Sequence, residues 1–189
     1  KGKALFQSDD IQVKGMAKEI TDFGEKYHER TYWTNSMFGG MPAYQIRITD
    51  PTNIMRPINK FLTLNLPYPA STLFLYMLGF YILLLTLKVD KWLSIVGSIG
   101  FAFSAFFIII ITAGHYTQAV ALSYAPPVFA GVILVCRGRY LLGCAVLSLF
   151  SGLELFCSHP QITYYLFLLM VVYVLFEFVE RIKLKQYKD

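Results

Sequence analysis

The chain has 189 residues, of which 56% are hydrophobic and only 15% are charged. Soluble domains carry about 45–50% apolar and roughly 25% charged residues, so the composition excludes an ordinary soluble domain and a disordered chain. The formal net charge of +5 does not indicate a nucleic-acid partner, because the basic residues stand in short clusters beside apolar runs. The composition predicts an integral membrane protein.

Residues 1–70 are the most polar part of the chain and hold more than half of its charged residues. Apolar residues at 13, 16, 20, 23 and 27 recur at helical spacing and predict an amphipathic helix that begins just after Ser8, Asp9 and Asp10. Residues 31–42 form a loop shaped by turn-forming residues, and the alternating segment 59–66 is expected to lie along the membrane surface.

Five apolar stretches follow, at 71–87, 92–112, 122–135, 141–157 and 162–179. A membrane-spanning helix needs about 17–25 residues, and helices pair all their backbone groups internally. The predicted fold class is therefore all-α, a polytopic helical membrane protein with about five transmembrane helices in a core at 71–180. Because the third stretch is short and contains Pro126 and Pro127, a broken or late-starting helix is expected there. Small residues at 97–105 predict close helix packing by the second stretch.

The distribution of basic residues predicts the orientation of these spans. The connections at 88–91 and 137–139 and the end at 181–189 are basic, whereas the connections around His115 and His159 contain no Lys or Arg. By the positive-inside rule, the basic segments are cytoplasmic, including the end at 181–189. Residues 1–70 are then a large extracytoplasmic loop region on the same side as both histidines.

Asp9 and Asp10 are the first candidates for chemistry. Paired carboxylates can act as a general base or bind a divalent cation. The alternative is that they cap the following helix and favour its dipole. On the predicted topology they share a compartment with His115 and His159.

The two histidine connections each bring further polar residues. His115 is followed by Tyr116 and Gln118, and His159 by Gln161. These groups can bind a phosphate or sugar hydroxyls, or ligate a metal together with the aspartates. The alternative is that they anchor helix ends among lipid headgroups. Metal binding stays an open question, because no His-x-x-x-His spacing occurs.

Glu154 lies within the fourth stretch, about one turn before His159. A carboxylate in hydrocarbon is costly unless it is paired or hydrated, so Glu154 is a functional candidate; the alternative is a hydrogen-bonded structural role. Glu177 lies four residues before Arg181 and is expected to pair with it.

Four segments resemble those of YfhO-like bacterial membrane proteins. They are Gln-Ser-Asp-Asp-Ile-Gln at 7–12, Trp-Thr-Asn-Ser-Met-Phe-Gly-Gly-Met-Pro at 33–42, Gly-His-Tyr-Thr-Gln at 114–118 and Ser-His-Pro-Gln-Ile-Thr-Tyr-Tyr at 158–165. That family is similar to GT-C glycosyltransferases, multi-spanning enzymes that use polyprenyl-phosphate sugars as donors. The resemblance implies a location in the bacterial inner membrane and an acidic residue near the start of the first outer loop, which Asp9 or Asp10 matches.

The function implied by this resemblance is transfer of a sugar from a polyprenyl-phosphate carrier to an envelope polysaccharide or protein on the outer face. Asp9 or Asp10 would deprotonate the acceptor or position a divalent cation, and the histidine connections would stabilise the departing phosphate. The lipid tail is expected near Pro126 and Pro127. The resemblance also implies that the chain is a piece of a longer protein. The alternative function is a non-catalytic transporter centred on Glu154, or an envelope scaffold.

Overall fold

The computed structural model describes residues 7–46 and 53–184, with the backbone alone for residues 8–10. This part of the chain is mostly helical, as predicted. Its elements are α1 (Ser8–Met16), α2 (Lys18–Tyr27), β1 (Trp33–Thr34), β2 (Met41–Pro42), a 3-10 turn (Ala43–Gln45), α3 (Met55–Leu62), α4 (Ala70–Thr86), α5 (Lys91–Ala102), α6 (Ala105–Ala113), α7 (Tyr116–Cys136), α8 (Tyr140–Phe156) and α9 (Pro160–Lys183).

Several of these helices have the length and the apolar composition of membrane-spanning helices. By length and composition, α7 and α9 are each able to cross a membrane, and α5 and α6 reach that length together although they are bent by 45° at their junction. α4 and α8 are apolar but have only 17 residues each, the short end of the spanning range. The described residues therefore contain two candidate spans, or three with the bent pair, and the count of five stays a prediction.

α7 lies at the centre of the bundle formed by α4–α9, where α4, α6, α8 and α9 pack around it. The predicted break at Pro126 and Pro127 is wrong, because α7 runs through both prolines and begins well before residue 122. Both prolines are buried in the bundle. The groove for a lipid tail near them stays a prediction.

A close approach of α4 accounts for the tolerance of Pro127 within α7. Pro127 has no N–H, so the Ser123 carbonyl four residues earlier loses its usual partner. An ideal Cβ at Gly79 of α4 would lie 2.4 Å from this carbonyl oxygen and 3.1 Å from Pro127 Cδ. Glycine places a Cα hydrogen there instead, and a Cα–H···O contact covers the oxygen.

The second apolar stretch, predicted as one helix, is broken at Phe103 and Ser104. In a straight helix, Phe101 and Phe107 would point about 120° apart. The bend brings their ring centroids to 4.6 Å, and both rings pack on Tyr76 of α4 at 6.4 and 4.1 Å. The bend is thus tied to aromatic packing, since no Pro or Gly stands at the junction.

α3 covers the end of the bundle to which the histidine connections belong. Its Met55 lies against Gly152 of α8, and its Asn59 accepts a hydrogen bond from the Tyr124 hydroxyl of α7. Arg56 and Lys60 lie on its exposed face. The predicted surface segment at 59–66 is thus the second half of an amphipathic helix that begins at Met55, and the loop that follows it.

The single amphipathic helix predicted after Asp10 is two helices. α1 begins at Ser8 with Gln7 as its N-cap residue, and Ala17 separates α1 from α2. Asp9 therefore lies in the first turn of α1 rather than before it, and so does Asp10. The side chains of both lie outside the described set.

Glu19 of α2 holds the loop that contains the hairpin of β1 and β2. Its carboxylate accepts hydrogen bonds from the N–H groups of Asn35 and Ser36, each at 2.9 Å, and from the Thr34 hydroxyl. Thr34 is buried. The Thr34 hydrogen bond, assisted by the two backbone donors, lowers the pKa of Glu19 against an opposing effect of desolvation.

Two arginines cap helices at the opposite end of the bundle. Arg137 donates to the carbonyl of the last residue of α4, and Arg181 donates to the carbonyl of the last residue of α7. Glu177, predicted to pair with Arg181, accepts a hydrogen bond from Tyr173 at 2.7 Å.

The contact at Gly79 predicts a strong steric effect. Gly79→Ala should lower the free energy of unfolding by about 1–3 kcal/mol, because the new methyl group meets a backbone oxygen that cannot move away freely. Gly100→Ala is the matched control, since a Cβ there meets nothing within 4 Å. Thermal unfolding of the chain in detergent micelles measures both, and equal melting temperatures would contradict the close packing of α4 on α7.

The hydrogen bonds to Glu19 predict an acid transition in the loop. Because the pKa of Glu19 is lowered from 4.5, its contribution to folding is present above pH 4.5 and is lost as the pH falls through the lowered value. In a Trp92→Phe background Trp33 is the sole tryptophan. Its emission should change in this acid range, and Glu19→Gln should show the changed emission already at pH 7. Glu25→Gln, also on α2, is the control; a Glu19→Gln spectrum like that of the wild type would contradict the role of the carboxylate.

Candidate functional site

His115 and His159 lie at one end of the bundle, which we call the histidine end. They are the N-cap residues of α7 and α9. Burial lowers the pKa of His159, and the neighbouring His115 lowers it further. Both predicted residues stand at the starts of helices at the same end of the bundle, so the structure brings them into one region.

The start of α1 is fixed at the same end. The Tyr68 hydroxyl donates to the Ile111 carbonyl near the end of α6 at 2.8 Å, and Gln7 Nε2 donates to the same oxygen at 2.7 Å. The amide also lies 3.3 Å from the Tyr68 hydroxyl. These bonds satisfy a carbonyl in the last turn of α6 and hold the chain just before Asp9 at the histidine end.

Tyr116 joins the two sides of this region. Its ring meets the Tyr68 ring edge to face, with the centroids 5.5 Å apart. Together with the histidines this defines a mouth cluster, which consists of Gln7, Tyr68, His115, Tyr116 and His159.

His159 borders an open groove of about 390 Å³ between the end of α8 and the first two turns of α9. Its polar rim contains Ser158, His159 and Thr163, and the rest of its lining is apolar. The apolar lining consists of Leu155, Pro160, Tyr164 and Phe167. Such a groove suits an amphiphile with a polar head beside the imidazole.

One imidazole nitrogen is buried without a partner. The Nδ1 atom of His159 has no hydrogen-bond partner among the residues that the structure describes. Buried polar atoms are normally paired, so an unpaired one beside a groove marks a position where a ligand atom or a water can bind.

Glu154 is 2% exposed and has a defined partner. The Thr163 hydroxyl of α9 lies 3.0 Å from Oε1 and 3.1 Å from Oε2. One hydroxyl hydrogen serves one oxygen at a time, so the hydrogen bond links α8 to α9 and leaves further capacity on the carboxyl group. Because Thr163 also lines the groove, its hydrogen bond to Glu154 helps to position one wall of the groove.

The remaining predicted residues are less closely associated with the mouth cluster. Gln118 is half-buried in the first turn of α7, and Gln161 is exposed in the first turn of α9. Asp9 and Asp10 follow Gln7 directly in α1. The hydrogen bonds of Gln7 therefore anchor the backbone just before these two residues. Their side chains lie outside the described set.

Among the side chains that the structure describes, no three His, Cys, Asp or Glu residues are grouped so that they could hold a metal ion. A cation site that used Asp9 or Asp10 would fall outside these residues. The divalent cation stays a prediction.

Sequence reasoning missed several residues of the site. Gln7 and Tyr68 bond to a carbonyl distant in the sequence, and nothing in their local pattern indicates it; Tyr68 is marked only by its position between two prolines before α4. Thr163 is missed for the same reason. Arg56 and Lys60 were detectable, because four residues separate them and a helix places such residues on one face.

Comparison with protein-family models, curated proteins and solved structures finds no match for this chain. The function is therefore argued from the site.

The proximity of the two histidines predicts a specific pH response. His115→Gln should raise the pKa of His159 toward 6.5, because it removes a neighbouring charge while the burial stays. An imidazole NMR titration of the chain in micelles measures this. His28→Gln, a substitution of the third histidine, should leave the His159 titration unchanged.

The same lowered pKa sets the sign of the stability effect. The folded state disfavours the His159 imidazolium, so stability should fall as the pH is lowered through 6.5, and His159→Gln should weaken that dependence. If His159 titrates identically in the wild type and in His115→Gln, the two rings do not share a site.

Proposed function

We propose that this chain is part of a GT-C-like membrane glycosyltransferase that moves a sugar from a polyprenyl-phosphate carrier to an acceptor in the bacterial envelope. The observation that carries the proposal is the mouth cluster, in which His115 and His159 begin two helices at the end of the bundle where Gln7 anchors α1. A site built on several helix ends places catalytic groups from distant parts of the chain around one substrate. The resemblance to YfhO-like proteins supports the same reaction class.

The proposal takes α4, the bent pair α5–α6, α7, α8 and α9 as five crossings of the bacterial inner membrane. The histidine end and residues 1–70 then face outward, since the basic connections and the two helix-capping arginines stand at the opposite end. Only two or three of these crossings have the length of a full span, so α4 and α8 would lie where the bilayer is locally thin.

The groove beside His159 is the proposed place of the donor lipid. Its apolar walls suit a polyprenyl chain, and its polar rim brings Ser158 and His159 to the level of a headgroup phosphate. The buried Nδ1 atom of His159 is then available to the phosphate or to its hydration water. Arg56 and Lys60 on the exposed face of α3 add positive charge at the same end.

The proposed reaction is a displacement at the anomeric carbon of the donor sugar. An acceptor hydroxyl attacks the anomeric carbon of the donor sugar, its proton passes to Asp9 or Asp10, and the bond from the anomeric carbon to the phosphate oxygen breaks. Negative charge then grows on the departing lipid phosphate. The His115 and His159 side chains would stabilise that charge by hydrogen bonding, which is the larger expected contribution to the rate.

A non-catalytic transporter or scaffold is the second candidate, and the buried Glu154 favours a transporter. However, Glu154 faces Thr163 of α9, whereas the bent junction of α5 and α6 packs on Tyr76 of α4. An interrupted helix and an ionisable group at the same midplane site are typical of transporters. Here Glu154 lies in the last turn of α8 and bonds to α9, whereas the bent junction packs on α4, so transport is the weaker interpretation.

The proposal predicts loss of transfer by substitutions that leave the fold intact. In proteoliposomes supplied with a polyprenyl-phosphate sugar and an acceptor, the Asp9→Asn/Asp10→Asn double variant should abolish transfer. His159→Gln should lower kcat about 10²-fold, since it removes one group that stabilises the leaving phosphate. Radiolabelled sugar recovered in the acceptor is the measurement.

His28→Gln is the matched control and should retain wild-type transfer, because His28 ends α2 and is remote in the chain from the mouth cluster. Unchanged melting temperatures separate a chemical effect from unfolding. Full activity in the aspartate double variant would remove both aspartates from the mechanism. Uptake of a solute that depends on Glu154, without any sugar transfer, would favour the transporter.

A further inference from the structure

Trp33 is held in a fixed orientation although it is 53% exposed. Its indole N–H donates to Asn35 Oδ1 at 3.1 Å. One edge of the ring lies against Gly40, where an ideal Cβ would fall 2.7 Å from Cζ2. Gly40 also has φ +126°, a conformation that residues with a side chain rarely adopt. The position of the indole therefore depends on this glycine.

The loop beneath the indole is organised before any ligand arrives. The Glu19 carboxylate binds the two N–H groups that follow Thr34, and the Ser36 hydroxyl donates to the Met16 carbonyl at the end of α1 at 3.1 Å. A rigid aromatic side chain loses little conformational entropy when a ligand binds to it. The half-exposed indole of Trp33, held at one edge, therefore offers a pre-organised surface to a ligand.

The composition of the loop restricts the ligand. Residues 31–46 contain no charged side chain, and the polar group that contacts the indole is the side-chain amide of Asn35. The face of an indole carries negative charge density, and the C–H groups on one face of a pyranose ring are weakly positive. The Asn35 amide nitrogen, whose oxygen holds the indole, can donate to a sugar hydroxyl. A neutral saccharide meets both requirements.

A membrane surface is the competing ligand, and two observations count against it. An interfacial tryptophan directs its N–H toward headgroups, whereas that of Trp33 is bound to Asn35. Segments that bind a membrane surface are usually basic, and this loop is not. Phe38, which is 87% exposed at the tip of the hairpin, is the side chain that membrane insertion would use.

We infer that the indole of Trp33 is a stacking platform for a pyranose ring of a neutral saccharide. The inference rests on the proposed function for one point, that the bound saccharide is the acceptor. It assigns the hairpin loop to recognition and leaves the chemistry to the mouth cluster.

The test uses the full chain in lipid nanodiscs with Trp92→Phe, so that Trp33 is the sole tryptophan. Chitotetraose and cellotetraose are titrated without any donor, and at least one should give a saturable change in Trp33 emission. Saturation-transfer NMR then compares variants that retain the Trp92→Phe change. Trp33→Ala should abolish binding, and Asn35→Ala and Gly40→Ala should each weaken it about tenfold or more. Phe38→Ala, an exposed aromatic in the same loop, should bind within about twofold of the parent.

Absence of a saturable change with both saccharides would overturn the inference. So would quenching of Trp33 by brominated lipid together with an equal loss in Phe38→Ala, since that result assigns the loop to the membrane surface. Asn35→Ala keeps the test decisive if Gly40→Ala disturbs the loop. Because no donor is present, failed transfer with intact saccharide binding would count against the proposed function alone.

Discussion

The need to pair every backbone polar group in an apolar surrounding is the constraint on which this structure depends, and it is greatest in α7. This helix is enclosed by its neighbours and contains two prolines that cannot donate hydrogen bonds. The Ser123 carbonyl lacks its helical partner because residue 127 is a proline, and Gly79 lets α4 pack unusually close to it. That approach sets the spacing of the helices around α7, and with it the position of the aromatic cluster at Tyr76.

The same constraint explains why the candidate chemistry is found at helix ends. Within a helix the backbone groups are occupied, so free carbonyls and N–H groups occur only at the termini. Gln7 and Tyr68 bind the Ile111 carbonyl in the last turn of α6, which also accepts a longer bond from the Gly114 N–H, and they join the N-terminal segment to the histidine end. The position of the mouth cluster therefore depends on the last turn of α6 as well as on the cluster's own residues.

The sequence predicts the apolar helices well and the interruptions poorly. Hydrophobic length locates α4, α8 and α9 within a few residues, and the alternation of basic and neutral connections groups His115 with His159. Local rules fail where distant residues decide the outcome. The prolines predict a break in α7, but the helix continues through them where it packs against Gly79. Nothing at Phe103 predicts the break between α5 and α6, which goes with the packing of Phe101 and Phe107 on Tyr76. The hydrogen bonds of Glu19 to the hairpin loop are missed for the same reason.

The arginines at the basic end combine two roles that a single substitution would separate. Arg137 and Arg181 each contribute a positive charge to that end, and each also donates to the last carbonyl of a helix that belongs to another part of the chain. Lysine would keep the charge but replace a planar guanidinium with a compact ammonium group that has different geometry. The positive charge of that end and the fastening of neighbouring helices thus depend on the same side chains yet are chemically distinct, so a lysine substitution would keep the charge while it loosens the contact between the helices.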